Sequence, residues 1–164
     1  MTESVPAEVL NKKDNKFIAE WSPDTKKLAS EFAKISKKGD VFAMYGTLGV
    51  GKSTFSRFFI QSLCGDIDVP SPTFTLVQMY DTNDFELYHY DMYRLKNQED
   101  AYELGIEDAF YSGVNLIEWP ENIEGLLPKS CWKIYIETQD NARIFRVETT
   151  SLEKNERLEI INYD

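Results

Sequence analysis

The sequence predicts a single α/β domain with a mixed parallel and antiparallel sheet and helices on both faces. Three observations predict it. The apolar run Val41–Tyr45 reads as a strand buried on both sides, and a glycine-rich loop and an amphipathic stretch follow it. Aromatic and β-branched runs at Thr73–Tyr80 and Phe85–Tyr93 flank Asp81-Thr82-Asn83-Asp84, a hairpin pattern. A second apolar run, Val114–Trp119, ends at Pro120 and repeats the buried-strand pattern.

Each element has a local reason. Residues 1–16 are polar and mixed in charge, and are expected to form a loose extension to one domain over 17–164. Phe17–Trp21 reads as a short strand. Ser22 is placed to cap a helix, with Pro23 at its first position and Asp24 at its positive end. Leu28, Phe32 and Ile35 keep helical spacing, and Lys37-Lys38-Gly39 closes the segment. Phe55, Phe58, Phe59 and Leu63 line one face of a helix over Lys52–Cys64, which Gly65 ends. Ser71-Pro72 reads as a loop before the hairpin, and Gln98–Leu104 as a short helix. Trp132–Thr138 and Ile144–Thr149 read as strands joined by Gln139-Asp140-Asn141, and Leu152–Ile160 as a closing helix. No internal repeat or linker interrupts the chain.

Composition narrows the function. The chain has 164 residues, in the ~100–200 range of one domain. It is 42% hydrophobic and 13% aromatic, too apolar for a disordered chain. Eighteen Lys and Arg against 28 Asp and Glu give a net charge of −10. That balance argues against a stand-alone nucleic-acid binder, which needs a cationic surface. Cys64 and Cys131 form no CxxC, and with the single histidine, His89, they leave too few soft ligands for zinc. The cysteine usage suits a reduced, intracellular protein. The first residues lack the basic and apolar regions of a signal peptide, and no apolar run reaches the ~18 residues of a membrane span. A cytoplasmic location without a membrane partner is therefore expected.

The chemistry concentrates in one loop. Gly46-Thr47-Leu48-Gly49-Val50-Gly51-Lys52-Ser53 satisfies G-x-x-x-x-G-K-[ST] between a buried strand and a helix. This is the arrangement of a P-loop NTPase-like domain. Glycines let successive backbone N–H groups turn toward an anion, and the helix N-terminus adds its positive dipole end. Gly49, Val50, Gly51, Lys52, Ser53 and Thr54 are thus candidates for holding a nucleotide. Lys52 is placed for the β- and γ-phosphates, Ser53 for Mg²⁺ and Thr54 for a nearer phosphate. Such a site needs a further carboxylate at a strand end. Asp91 and Glu118 are the candidates, one for the metal or its waters and the other for the attacking water. Asn11-Lys12-Lys13-Asp14 matches the guanine-reading string N/T-K-x-D, but it precedes the P-loop and no D-x-x-G follows. ATP is therefore preferred to GTP.

Several motifs coincide in order: the P-loop, Ser71-Pro72-Thr73-Phe74-Thr75-Leu76-Val77, Tyr88-His89-Tyr90-Asp91-Met92-Tyr93-Arg94-Leu95, and Leu116-Ile117-Glu118-Trp119-Pro120-Glu121. Together they resemble the TsaE (YjeE) family of bacterial P-loop ATPases, over about residues 18–148. The resemblance implies an accessory role in forming N6-threonylcarbamoyladenosine at position 37 of tRNAs that read ANN codons. It implies slow ATP hydrolysis and docking on the TsaB–TsaD heterodimer, with TsaD performing the transfer and tRNA reached through the complex. It casts Lys52 as the phosphate lysine, Ser53 and Glu118 as Mg²⁺ ligands, and Asp91 as the carboxylate needed for hydrolysis. Thr73 matches a switch-like threonine near the γ-phosphate, Thr25 a threonine near the adenine, and Arg143 an arginine near the nucleotide. Trp119 matches a tryptophan that shapes the site.

The residues by themselves also permit plainer roles. Thr25 reads equally as a first-turn helix residue, Arg143 as a solvated hairpin residue, Trp119 as packing, and His89 as a strand residue without chemistry. Two other functions stay open at this level. A small-molecule phosphotransferase would carry an arginine-rich lid, and Arg57, Arg94, Arg143, Arg146 and Arg157 are scattered. A nucleotide-binding interaction module without hydrolysis would not need both Asp91 and Glu118. No arginine finger is evident in the chain, so turnover by the isolated protein is expected to be slow.

Overall fold

The computed structural model describes residues 15–20 and 22–161. In chain order its elements are β1 (Lys16–Ala19), α1 (Ser22–Ile35), β2 (Val41–Tyr45), α2 (Lys52–Cys64), β3 (Val77–Asp81) and β4 (Glu86–Asp91). A 3-10 segment (Gln98–Leu104), α3 (Ile106–Ser112), β5 (Gly113–Glu118) and a second 3-10 segment (Pro120–Leu126) follow. The chain closes with β6 (Trp132–Gln139), β7 (Ala142–Glu148) and α4 (Leu152–Leu158). The strands form one sheet in the order β1-β7-β6-β2-β5-β4-β3. β6, β2, β5 and β4 run parallel, while β1, β7 and β3 pair antiparallel at the two flanks. The expected mixed sheet is present.

Helices cover both faces, as expected. On one face Leu28 and Phe32 of α1, Phe55 and Phe59 of α2 and Leu158 of α4 pack over Phe42, Leu116, Trp132 and Phe145. Phe32 meets Phe42, Phe55 and Trp132 edge-on, and Phe42 stacks on Trp132 with centroids 5.4 Å apart. Such geometry adds about 0.5–1.5 kcal/mol per pair to area burial. On the other face, Ala101, Ile106, Ala109 and Ile123 pack over Val41, Ala43, Tyr90 and Ile117.

Most elements stand close to their expected bounds, with instructive exceptions. The extension expected over 1–16 lies outside the described residues as far as residue 14. Its last two residues belong to the sheet: Lys16 opens β1, and the Asn15 carbonyl accepts the Val147 N–H at 2.7 Å. The strand expected over Phe17–Trp21 ends at Ala19, and Trp21 lies outside the described residues. Ser22 is the first residue of α1 rather than its cap, and the Asp24 carboxylate accepts the Glu20 N–H at 3.0 Å. The strand expected over Thr73–Tyr80 starts only at Val77. Leu76 is left-handed (φ 71°), and its N–H donates to the Pro72 carbonyl at 2.6 Å, which closes a turn instead. Gln98–Leu104 is a 3-10 segment, and α4 stops at Leu158. The sequence pattern did not reveal α3, because a seven-residue helix with Ile106 and Ala109 as its buried positions carries too little periodicity.

One ion pair ties α4 to the start of β2. Arg157 donates from both terminal nitrogens to the Asp40 carboxylate at 2.7 and 2.8 Å, and to the Ile35 carbonyl at 2.7 Å. Its guanidinium lies 5.3 Å from the Trp132 ring centroid. Removing Asp40 would leave the buried Arg157 guanidinium with the half-exposed Glu153 as its remaining carboxylate partner among the described residues. Asp40→Ala is expected to cost about 3 kcal/mol of unfolding free energy, the low end for breaking a buried pair. Urea denaturation checks this, and an unchanged midpoint would contradict it.

Candidate nucleotide site

The site is built where the parallel strands end. Met44, Glu118 and Asp91 are register neighbours across β2, β5 and β4. Neighbours in register share a face, so Glu118 and Asp91 emerge side by side next to the loop that leaves β2. Both sit on the face that α2 covers.

The loop needs its glycines for distinct reasons. A Cβ on Gly46 would lie 2.6 Å from Val50 Cγ1 and 2.8 Å from the Ile136 carbonyl oxygen of β6. Gly49 (φ 80°) and Gly51 (φ 122°) adopt left-handed backbone that other residues avoid. Val50 is buried in the core, and its N–H donates to the Thr47 carbonyl at 3.2 Å. Its carbonyl accepts the Arg143 Nε–H at 2.7 Å. Arg143 therefore braces the loop from the start of β7, which a solvated hairpin residue would not do.

The first two residues of α2 meet the acidic strand ends. The Lys52 ammonium donates to the Gly46 carbonyl and sits 3.3 Å from the centroid of the Trp119 ring. Burial pulls its pKa below the ordinary lysine value, and the charges of Glu121, Glu118 and Asp91 act in the opposite direction. Ser53 Oγ donates to Glu118 Oε1 at 2.8 Å. Trp119 is held left-handed (φ 59°), a conformation that costs a bulky residue about 1–3 kcal/mol.

Each carboxylate is held at both oxygens. Glu118 Oε2 lies 2.6 Å from His89 Nε2, and the two residues are 2% and 1% exposed. A carboxylate neighbour requires Nε2 to carry the proton and donate. Asp91 Oδ2 accepts the Thr73 hydroxyl at 3.0 Å, and Oδ1 accepts the Tyr93 N–H at 3.0 Å. The hydroxyls of Ser71 and Thr73 are 2.8 Å apart. His89 was expected to be a strand residue without chemistry, and the fold instead sets it against Glu118. Its one sequence signal was the i, i+2 spacing to Asp91, which places both on one face of a strand.

A cavity of about 580 Å³ opens here. Thr25, Gly49, Gly51, Lys52, Ser53, Thr54, Thr73, Asp91, Glu118, Trp119 and Arg143 all line it. The fold thus gathers the residues nominated from sequence, except that Val50 is not on the wall. Leu48, Glu20 and Asn141, which sequence reasoning passed over, also border it. The donor set fits a hard cation that keeps waters and shares phosphate oxygens, since Ser53 and Glu118 offer a hydroxyl and a carboxylate together. Among the described residues no group of three His, Cys, Asp or Glu side chains is arranged as a protein-only metal cage.

Comparison with known proteins decides the family. The model of the threonylcarbamoyl adenosine biosynthesis protein TsaE matches residues 19–145. The chain belongs to the TsaE family. The tRNA threonylcarbamoyladenosine biosynthesis protein TsaE of Rickettsia felis is 42% identical over 134 residues, covering 80% of this chain and 78% of that protein. The protein of the same description from Bacillus subtilis is 39% identical over 114 residues, covering 69% of this chain and 71% of that one. The crystal structure of Bacillus subtilis YdiB superposes with a TM-score of 0.72 at 31% identity, covering 87% of this chain and 89% of that chain. Every residue nominated for the TsaE site, from Thr25 to Arg143, falls inside the matched segment. Among the described residues no helix is long and apolar enough to cross a membrane.

The close approach at Gly46 gives a direct test. Gly46→Ala would press a methyl group on backbone that cannot rotate away. It is expected to lower stability by about 1–3 kcal/mol. Chemical denaturation reads the effect, and a wild-type midpoint would refute it.

Proposed function

We propose that this chain binds ATP with Mg²⁺ in the cavity between the P-loop and the Asp91–Glu118 pair, and hydrolyses it slowly. In this reading the cycle serves the formation of N6-threonylcarbamoyladenosine on tRNA through a TsaB–TsaD heterodimer, which performs the transfer. One domain, from the start of β1 onward, carries the activity. The supporting observation is the convergence of Lys52, the Ser53–Glu118 contact and the Thr73–Asp91 contact on one cavity behind a glycine loop. TsaE family membership supports the tRNA-modification role.

Each residue has a task in this reading. Lys52 is held by one carbonyl and a ring face, so phosphate oxygens are stronger acceptors and would take its ammonium. Ser53 and Glu118 would hold Mg²⁺, which supplies charge neutralisation at the β- and γ-phosphate oxygens. His89 fixes the orientation of Glu118. Asp91, fixed by Thr73 and the Tyr93 N–H, orients the attacking water. Thr25 and Thr54 border the nucleotide, and Arg143 keeps the loop in shape. Its Nε–H anchors Arg143 to the loop beside the nucleotide. A partner surface would complete the site, and the exposed Leu48 (79%) and Phe74 (80%), on the two loops at the cavity mouth, suit docking of such a partner.

The decisive experiment is a reconstituted tRNA-modification assay with TsaB and TsaD. Lys52→Ala is expected to abolish nucleotide binding and modification, and unchanged modification would sink the reading. Asp91→Asn is expected to keep ATP binding while turnover falls about 10²-fold or more. Adding TsaB–TsaD is expected to accelerate ATP turnover by wild type. His89→Ala is expected to weaken Mg²⁺ affinity about 10–100-fold, read by titrating Mg²⁺ against binding of a fluorescent ATP analogue. An unshifted Mg²⁺ titration would remove His89 from the site.

A further inference from the structure

The sheet face that carries α3 is only partly covered. The apolar cluster over it contains no residue of β1 or β7. On that bare flank, Lys16, Arg146, Tyr135 and Tyr45 stand side by side across β1, β7, β6 and β2. The two tyrosine rings stack at 4.8 Å and 16°, and the Arg146 guanidinium lies 5.1 Å from the Tyr135 centroid. Lys133, on the same face of β6, lies 5.9 Å from the Tyr45 ring. The rings hold the cations in an ordered row.

A groove of about 530 Å³ runs along this row. Lys16, Lys129, Lys133 and Arg146 line it, with Glu148 as the one acidic lining residue among the described residues. Glu148 lies 3.7 Å from Arg146, and Lys133 reaches Glu124 at 3.1 Å. Among the described residues, neither Lys16 nor Lys129 meets a carboxylate. The Thr149 and Thr150 hydroxyls donate to the Ser130 and Lys129 carbonyls, which pins the loop that carries Lys129. In a chain of net charge −10, four cations gathered on one groove are a marked segregation of charge.

We propose that this face is a contact surface for the phosphate backbone of a folded RNA. Charge complementarity argues for a polyanion, and the planar guanidinium fork suits phosphate oxygens. Neighbouring strands lie ~4.8 Å apart, so the row meets several phosphates of one chain rather than a single ion. The role named for the relatives, tRNA modification, supplies an RNA. The surface shares no residue with the nucleotide cavity. Lys16 and Arg146 also lie outside the segment that matches the family. The contact adds to tRNA delivery by partner proteins, and it stands or falls independently of ATP hydrolysis.

The test is fluorescence anisotropy of a labelled, unmodified tRNA transcript with the full chain, at about 50 and 200 mM salt. Three to four phosphate contacts predict a log–log salt slope of about −2 to −3.5. Arg146→Glu and Lys16→Glu are each expected to weaken binding at least about threefold and to flatten the slope by about 1. Lys129→Gln, at an exposed loop position, is expected to weaken binding with thermal stability unchanged, which covers any folding defect of the charge reversals. Binding of a fluorescent ATP analogue is expected to stay at the wild-type level in all three. Undetectable or salt-independent tRNA binding by wild type would overturn the proposal, as would variants that bind tRNA like wild type. Equal competition by a polyglutamate peptide would also overturn it, and would assign the face to an acidic protein.

Discussion

The level ending of three parallel strands is the constraint on which the site depends. β2 delivers the glycine loop, and β5 and β4 deliver Glu118 and Asp91 as register neighbours of Met44 and of each other. A slip of one residue in either strand would turn its carboxylate to the opposite face, because side chains alternate along a strand. Leu116 and Leu87, buried on the same face as those carboxylates, oppose such a slip. The apolar core therefore sets the chemistry indirectly, because a slip would take each leucine out of the cluster it packs in and each carboxylate away from its donors.

That register crowds charge into a buried space. Glu118 and Asp91 can stay there because each spends both oxygens on fixed donors: Ser53 and His89 for one, Thr73 and the Tyr93 N–H for the other. Buried carboxylates without such partners would carry a large desolvation cost. Lys52 balances them from between the Gly46 carbonyl and the Trp119 ring. The left-handed backbone of Trp119 and of Leu76 is strain placed beside the same two carboxylates. Strain of this kind persists where surrounding contacts over-determine the backbone.

The same sheet separates two surfaces. Its carboxyl-end edge gathers the Asp91–Glu118 pair, Lys52 and the glycine loop around one cavity. Its bare flank over β1, β7 and β6 is open and cationic, ordered by the Tyr45–Tyr135 stack. The uniform-looking net charge of −10 conceals this division. Total charge argued against nucleic acid, while the distribution of charge decides where a polyanion can be received.

The sequence by itself determined the elements whose signals are local. Gly46–Ser53 could be read as a phosphate loop because the glycines, the lysine and the hydroxyl are consecutive. The strand before it and the helix after it followed from uninterrupted apolarity and helical spacing. Asp91 and Glu118 were legible as carboxylates closing apolar strands. Only the tertiary structure decided what those residues touch. The His89–Glu118 contact joins residues 29 apart and the Arg143–Val50 contact residues 93 apart. The turn at Leu76, which brings Thr73 to Asp91, replaced the first half of an expected strand. The row of cations and tyrosines across β1, β7, β6 and β2 has no pattern along the chain at all. Sheet register couples distant segments through the packing of whole faces, and no local window of sequence contains that information.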